Sequence, residues 1–84
     1  MNAAERKNRE DIDRQVEMLA KAYRNAGKAC EVALHFEQSS TRGYGYYRLL
    51  VDGFEVTSWG HAKTVDVWLA IFDMRRAVEM LDLR

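Results

Sequence analysis

Two histidines, one cysteine and thirteen acidic residues are the groups with which this chain could hold a metal or move a proton. Their spacing favours neither. Cys30 and His35 stand five positions apart in an alternating segment, so they fall on opposite faces of a strand and cannot chelate one ion together. A small buried Cys30 and an exposed His35 account for both. No serine, histidine and aspartate follow a hydrolase order with supporting glycines, and neither a phosphate-binding loop nor a dinucleotide fingerprint occurs. Gly43-Tyr44-Gly45 lacks the preceding strand and following helix of a phosphate cradle, and fits twist relief or a bulge at the start of a strand. With 84 residues leaving little second layer around a pocket, the expectation is a chain without enzymatic activity, metal or cofactor.

Aromatic and cationic residues offer more. Tyr44, Tyr46 and Tyr47 lie between Arg42 and Arg48, and Trp59, Trp68 and Phe72 follow. Tyrosine, tryptophan and arginine bury large areas at modest entropic cost while keeping a polar tip, which suits protein interfaces. The same mixture could stack single-stranded bases. Strands favour aromatic residues in any case. Thirteen basic and thirteen acidic residues cancel, which weakens both sequence-independent nucleic-acid binding, which needs a positive excess, and DNA mimicry, which needs a negative one.

The elements that position these residues follow from periodicity. Residues up to about 10 carry no apolar anchor and are expected to be flexible, with residues 11–84 forming a single α+β domain. Ile12, Val16, Leu19 and Tyr23 step along one narrow helical stripe, which Gly27 should end. Cys30, Val32, Leu34 and Phe36 alternate with Glu31, Ala33, His35 and Glu37 as a half-buried strand. After a polar loop, Tyr44 to Val51 forms a second strand, and Asp52-Gly53 predicts a two-residue type I′ hairpin. That turn would set Val51 against Phe54, Leu49 against Val56 and Tyr47 against Ser58 on the core face. Leu50 with Glu55, Arg48 with Thr57 and Tyr46 with Trp59 would share the open face.

Trp59-Gly60-His61 should break the third strand. A last helix then starts near Ala62, or is capped by Thr64, and runs to about Leu83. At about 100° per residue, Val67, Ile71, Met74, Val78 and Leu81 share one stripe of that helix. Val65, Trp68, Leu69 and Phe72 fall opposite. The first helix would cover this second stripe while the other lies on the sheet; otherwise Trp68 and Phe72 meet a second copy or a target. Arg75 and Arg76, with Glu79 and Asp82, read as the solvated back of the helix. The expected architecture is α-β-β-β-α, a three-stranded antiparallel sheet with two helices on one face. The lone Cys30 points to a reducing, cytoplasmic setting, and neither a signal peptide nor a membrane span is expected.

The α-β-β-β-α order with Gly60 just before the last helix resembles the double-stranded RNA-binding domain from Asp11 onward. The resemblance implies binding through the start of the second helix, the loop between the first strands and the first helix. Lys63 and Arg42 are the positions that match; the family's basic cluster and loop histidine are absent. The chain is also similar to small accessory proteins of bacteriophages and mobile elements, anti-CRISPR proteins among them. That likeness rests on its length, its lone cysteine, the lack of enzyme motifs and the segment Val51-Asp-Gly-Phe-Glu-Val-Thr-Ser-Trp59-Gly60 leading into an apolar helix. It implies a non-enzymatic inhibitor in the host bacterial cytoplasm that occupies a surface of a defence complex, such as a CRISPR–Cas component. Arg42, Tyr44, Tyr46, Arg48, Trp59, Trp68 and Phe72 would carry the protein contact, with Arg42 and Lys63 serving the RNA alternative.

Overall fold

A computed structural model describes residues 3–81. The chain runs through α1 (Ala3–Asn25), β1 (Val32–Gln38), β2 (Tyr44–Val51), β3 (Phe54–Lys63) and α2 (Thr64–Leu81). The strands make one antiparallel sheet in the order β1-β2-β3, and both helices pack on the same face of it.

α1 starts at Ala3, so from there on the segment expected to be flexible is helical; residues 1–2 of it lie outside the described residues. Alanine, glutamate, arginine and lysine there are good helix formers. The Arg9 guanidinium, 4.1 Å from the centre of the Phe36 ring, also ties this stretch to the sheet. Ile12, Val16, Leu19 and Ala22 form its buried stripe. The helix ends in a Schellman motif: Lys28 N–H donates to the Tyr23 carbonyl at 2.9 Å and Gly27 N–H to that of Arg24 at 3.0 Å, with Gly27 at φ 90°.

The Asp52-Gly53 turn has both central residues at positive φ, 51° and 83°, as a type I′ hairpin requires. Asp52 also holds the chain entering β1. Its N–H donates to the Glu31 carbonyl and its Oδ1 accepts from Glu31 N–H, both at 2.8 Å. The strand therefore begins at Val32, and Cys30 lies half-buried before it rather than in it.

The expected register survives for two pairs only. Val51 faces Phe54 and Leu50 faces Glu55, but Leu49 then faces Thr57 and Tyr47 faces Trp59. One extra residue on β3 turns every later side chain to the other face. Trp59 consequently leaves the open face and packs, half-buried, against the core, while Val56 is left exposed. The exchange covers an indole in place of an isopropyl group, a gain in buried apolar area. Phe54, expected in the core, stays 76% exposed at the hairpin, outside the packed cluster. Nor does β3 break at Trp59-Gly60-His61. A second extra residue between the Tyr47–Trp59 and Gly45–Ala62 pairs lets it continue to Lys63.

α2 starts at Thr64, the later of the two expected positions, and is described to Leu81; Leu83 and Asp82 lie outside the described residues. Thr64 N–H and Oγ1–H both donate to the Gly43 carbonyl, at 3.2 and 3.4 Å. With its own proton so used, Thr64 Oγ1 accepts from the buried Tyr47 hydroxyl at 3.2 Å. Val67, Ile71 and Val78 meet α1 and the sheet together. Leu81, one turn beyond Val78, is exposed. Because α1 uses this same stripe, it does not cover Val65, Leu69 and Phe72 as expected. Arg75 is not on a solvated back either: its Nε–H donates to Oε1 of buried Gln15 on α1 at 3.1 Å, and Nη1 holds both Glu79 oxygens, at 2.8 and 3.0 Å.

Gly45 is buried where the Phe36 ring crosses β2, and a Cβ there would collide with the ring edge and press on the Glu37 carbonyl. Gly45→Ala should lower stability by about 1–3 kcal/mol in urea unfolding, as overpacking does. Thr64→Val should cost about 1–3 kcal/mol by stranding the Tyr47 hydroxyl. Tyr47→Phe in that background should then cost less than it does alone, and a double-mutant cycle reads this directly.

Candidate protein-binding surface

The second irregularity of β3 builds the most distinctive surface of the molecule. His61, not a glycine, is held at φ 49°, in the left-handed region that costs an L-residue roughly 1–2 kcal/mol. This conformation lays the imidazole against the Tyr44 ring, centroids 4.8 Å apart and planes 19° from parallel. The Tyr46 ring stands on the other side at 6.1 Å and 54°. Lys63 Nζ is 6.0 Å from the Tyr44 ring centre. Tyr46 is 46% exposed, and His61 is exposed as well. Two tyrosines two residues apart on β2 normally point the same way, and the bulge inserts a third ring beside them.

Along the open face from these rings, Arg48 Nη2 lies 3.3 Å from His35 Nδ1 and Nη1 lies 3.7 Å from a Glu55 oxygen. Ala33, Glu37 and Leu50 share that face, Glu37 directly opposite Tyr46. Charge there is compensated within the sheet. Arg42 is exposed in the β1–β2 loop. On the other side of the loop, a shallow cleft is lined by Asn8, Arg9, Phe36, Gln38, Gly43, Tyr44 and Thr64. The Arg9 Nε–H is buried there without a hydrogen-bond partner, its guanidinium flat on Phe36.

The expected contact residues thus separate into groups. Tyr44, Tyr46 and Arg48 remain together on the sheet, and Lys63 joins them. Trp59 belongs to the core side. Trp68 and Phe72 stack on one another along α2, centroids 5.3 Å apart and planes 14° from parallel, with Trp68 half-buried against the core. The Arg75 guanidinium lies 4.8 Å and that of Arg76 5.9 Å from the Phe72 ring. His61 was passed over by sequence reasoning, since no local signal marks a bulge that re-aims it. No group of three or more metal-ligating side chains occurs among the described residues, and no helix there is long and apolar enough to cross a membrane.

His61→Gly should remove the backbone strain and the stack together. It should raise or hold the thermal midpoint while Tyr44 becomes more accessible to solvent quenching of its fluorescence. No protein-family model, no curated protein and no solved structure matches this chain.

Proposed function

We propose that this chain is a non-enzymatic binding protein that occupies a protein surface of a larger bacterial complex and inhibits it, in the manner of phage-encoded inhibitors of defence systems. The observation that carries this reading is the Tyr44–His61–Tyr46 surface, three adjacent rings fixed by a strained backbone rather than by burial. Strain at an exposed position is retained where the arrangement it produces is used. Rigid aromatic side chains bury area on a partner with little rotamer entropy left to lose.

A protein partner suits this surface better than nucleic acid. Lys63 and Arg48 are its cations, but Arg48 is engaged by Glu55 and Glu37 stands opposite Tyr46. A phosphate backbone would meet mixed charge there, without the excess that drives its binding. The complex blocked is one of the host's defence assemblies, with CRISPR–Cas machinery the first to examine.

Tyr46→Ala and Arg48→Glu change exposed side chains and should leave the thermal midpoint within a few degrees. Wild-type protein expressed in a bacterium with an active CRISPR–Cas system should raise phage plating, and each variant should lower that effect at least about tenfold. Undiminished protection by both variants removes the surface from the mechanism. An RNA mobility shift that weakens steeply with added salt would replace the protein partner with nucleic acid.

A further inference from the structure

We infer that the outer face of α2 is a self-association surface, on which two copies of this chain pair through antiparallel α2 helices. The face is apolar over its first half, and Arg76 and Glu79 separate Phe72 from Met80 beyond it. Val65 is 58%, Leu69 47% and Met80 67% exposed, and the stacked Trp68 and Phe72 are half-buried beside them. Inside the molecule Trp68 packs against the core, but Val65, Leu69 and Met80 stay exposed, because α1 and the sheet both use the Val67–Ile71–Val78 side. An exposed apolar helix face of this kind marks an interaction site. It forms a ridge, not a groove, and the surface most complementary to a helical ridge is another helix laid alongside it.

Charge selects the occupant and its direction. Asp66 lies beside the apolar residues at one end of α2 and Arg76 on the face itself, one turn beyond Phe72, and neither forms an ion pair among the described residues. A two-fold axis midway between the levels of Leu69 and Phe72 sets Leu69 of one copy against Phe72 of the other. The same axis brings Arg76 of each copy within one residue, about 1.5 Å of axial rise, of Asp66 of the other. In an antiparallel pair like flanks meet, so the Asp66 flank of one helix lies beside that of its mate, where the long Arg76 side chain can reach it. A parallel pair would instead leave Asp66 and Arg76 ten residues, about 15 Å, apart in level and bring Arg76 beside Arg76. The patch is therefore complementary to itself in one orientation, the condition for an isologous two-fold interface. Equal numbers of acidic and basic residues add no net repulsion between copies.

None of these residues belongs to the Tyr44–His61–Tyr46 surface, so the inference stands or falls apart from the proposed function. Sedimentation equilibrium of the whole chain over about 1–500 µM covers the affinities a modest apolar interface reaches. The wild type should fit a monomer–dimer equilibrium. Leu69→Lys, outside the core, and Trp68→Asp, at its margin, should each raise the dimer Kd at least about 30-fold while circular dichroism stays unchanged. Asp66→Arg and Arg76→Asp should each weaken the dimer about tenfold, and the double exchange should return it to within about threefold of the wild type. A monomer at every concentration overturns the inference and leaves the face to a different protein. A dimer indifferent to Leu69→Lys, or a double exchange that restores nothing, overturns it equally. Should Trp68→Asp lose helical signal, Leu69→Lys decides, since it changes only a half-exposed side chain.

Discussion

One stripe of α2 has to serve two neighbours. Val67, Ile71 and Val78 contact α1 and the sheet at once, which works because α1 offers only a narrow stripe of its own, Ile12, Val16 and Leu19. The rotation of α2 about its axis then has little freedom. At its first residue the Tyr47 hydroxyl, Thr64 and the Gly43 carbonyl form a hydrogen-bonded chain, and further along Arg75 reaches Gln15 on α1. Anchored at these two levels, α2 cannot turn Leu69 and Phe72 inward without breaking partly buried polar contacts, and an orphaned buried donor or acceptor costs about 1–3 kcal/mol. What lies outside on α2 follows from what holds it inside.

The two bulges of β3 do different work in the same strand. The first, at Val56, exchanges a small side chain for Trp59 on the packed face. The second restores the pairing needed to bring Thr64 beside Gly43 and in doing so lifts His61 between Tyr44 and Tyr46. Each extra residue also bends the strand and disrupts its outer row of backbone groups, which discourages another strand from adding at that edge. β3 can therefore remain a long edge strand without inviting sheet-to-sheet aggregation. The strain at His61 thus falls at the join between sheet and helix, the place where the three rings meet.

What the amino-acid sequence disclosed was the local part. The Ile12–Val16–Leu19 stripe, the stop at Gly27 and the Asp52-Gly53 turn each depend on residues within a few positions of one another, and each is found where expected. The register of β3 beyond Glu55 depends instead on which side chain the helices leave room for, a tertiary competition between Val56 and Trp59 that alternation cannot express. Arg9 and Arg75 escaped for a related reason. Charged residues at helical spacing read as solvated, yet Arg9 lies on Phe36 and Arg75 bridges the helices, their aliphatic stems and flat guanidinium faces covering apolar surface. Of the candidate contact residues, Tyr44 and Tyr46 kept their places because β2 is regular around them, and Trp59 lost its place because β3 is not.

Neutrality in this chain is not evenly spread, and that bears on how its surfaces recognise anything. On the open sheet face Arg48 is shared between His35 and Glu55, and on α2 Arg75 is engaged by Glu79 and Gln15. Charges satisfied within the molecule contribute little field at a distance, particularly at physiological salt, where the Debye length is about 8 Å. A partner approaching the Tyr44–His61–Tyr46 surface would be steered only weakly, so its association rate would lie nearer the unsteered range of about 10⁵–10⁶ M⁻¹s⁻¹. Affinity would then have to come from slow dissociation, through rings that lose almost no freedom on contact. Fixing His61 in a strained conformation would serve that end, since the ordering cost would be met during folding and not at the moment of binding.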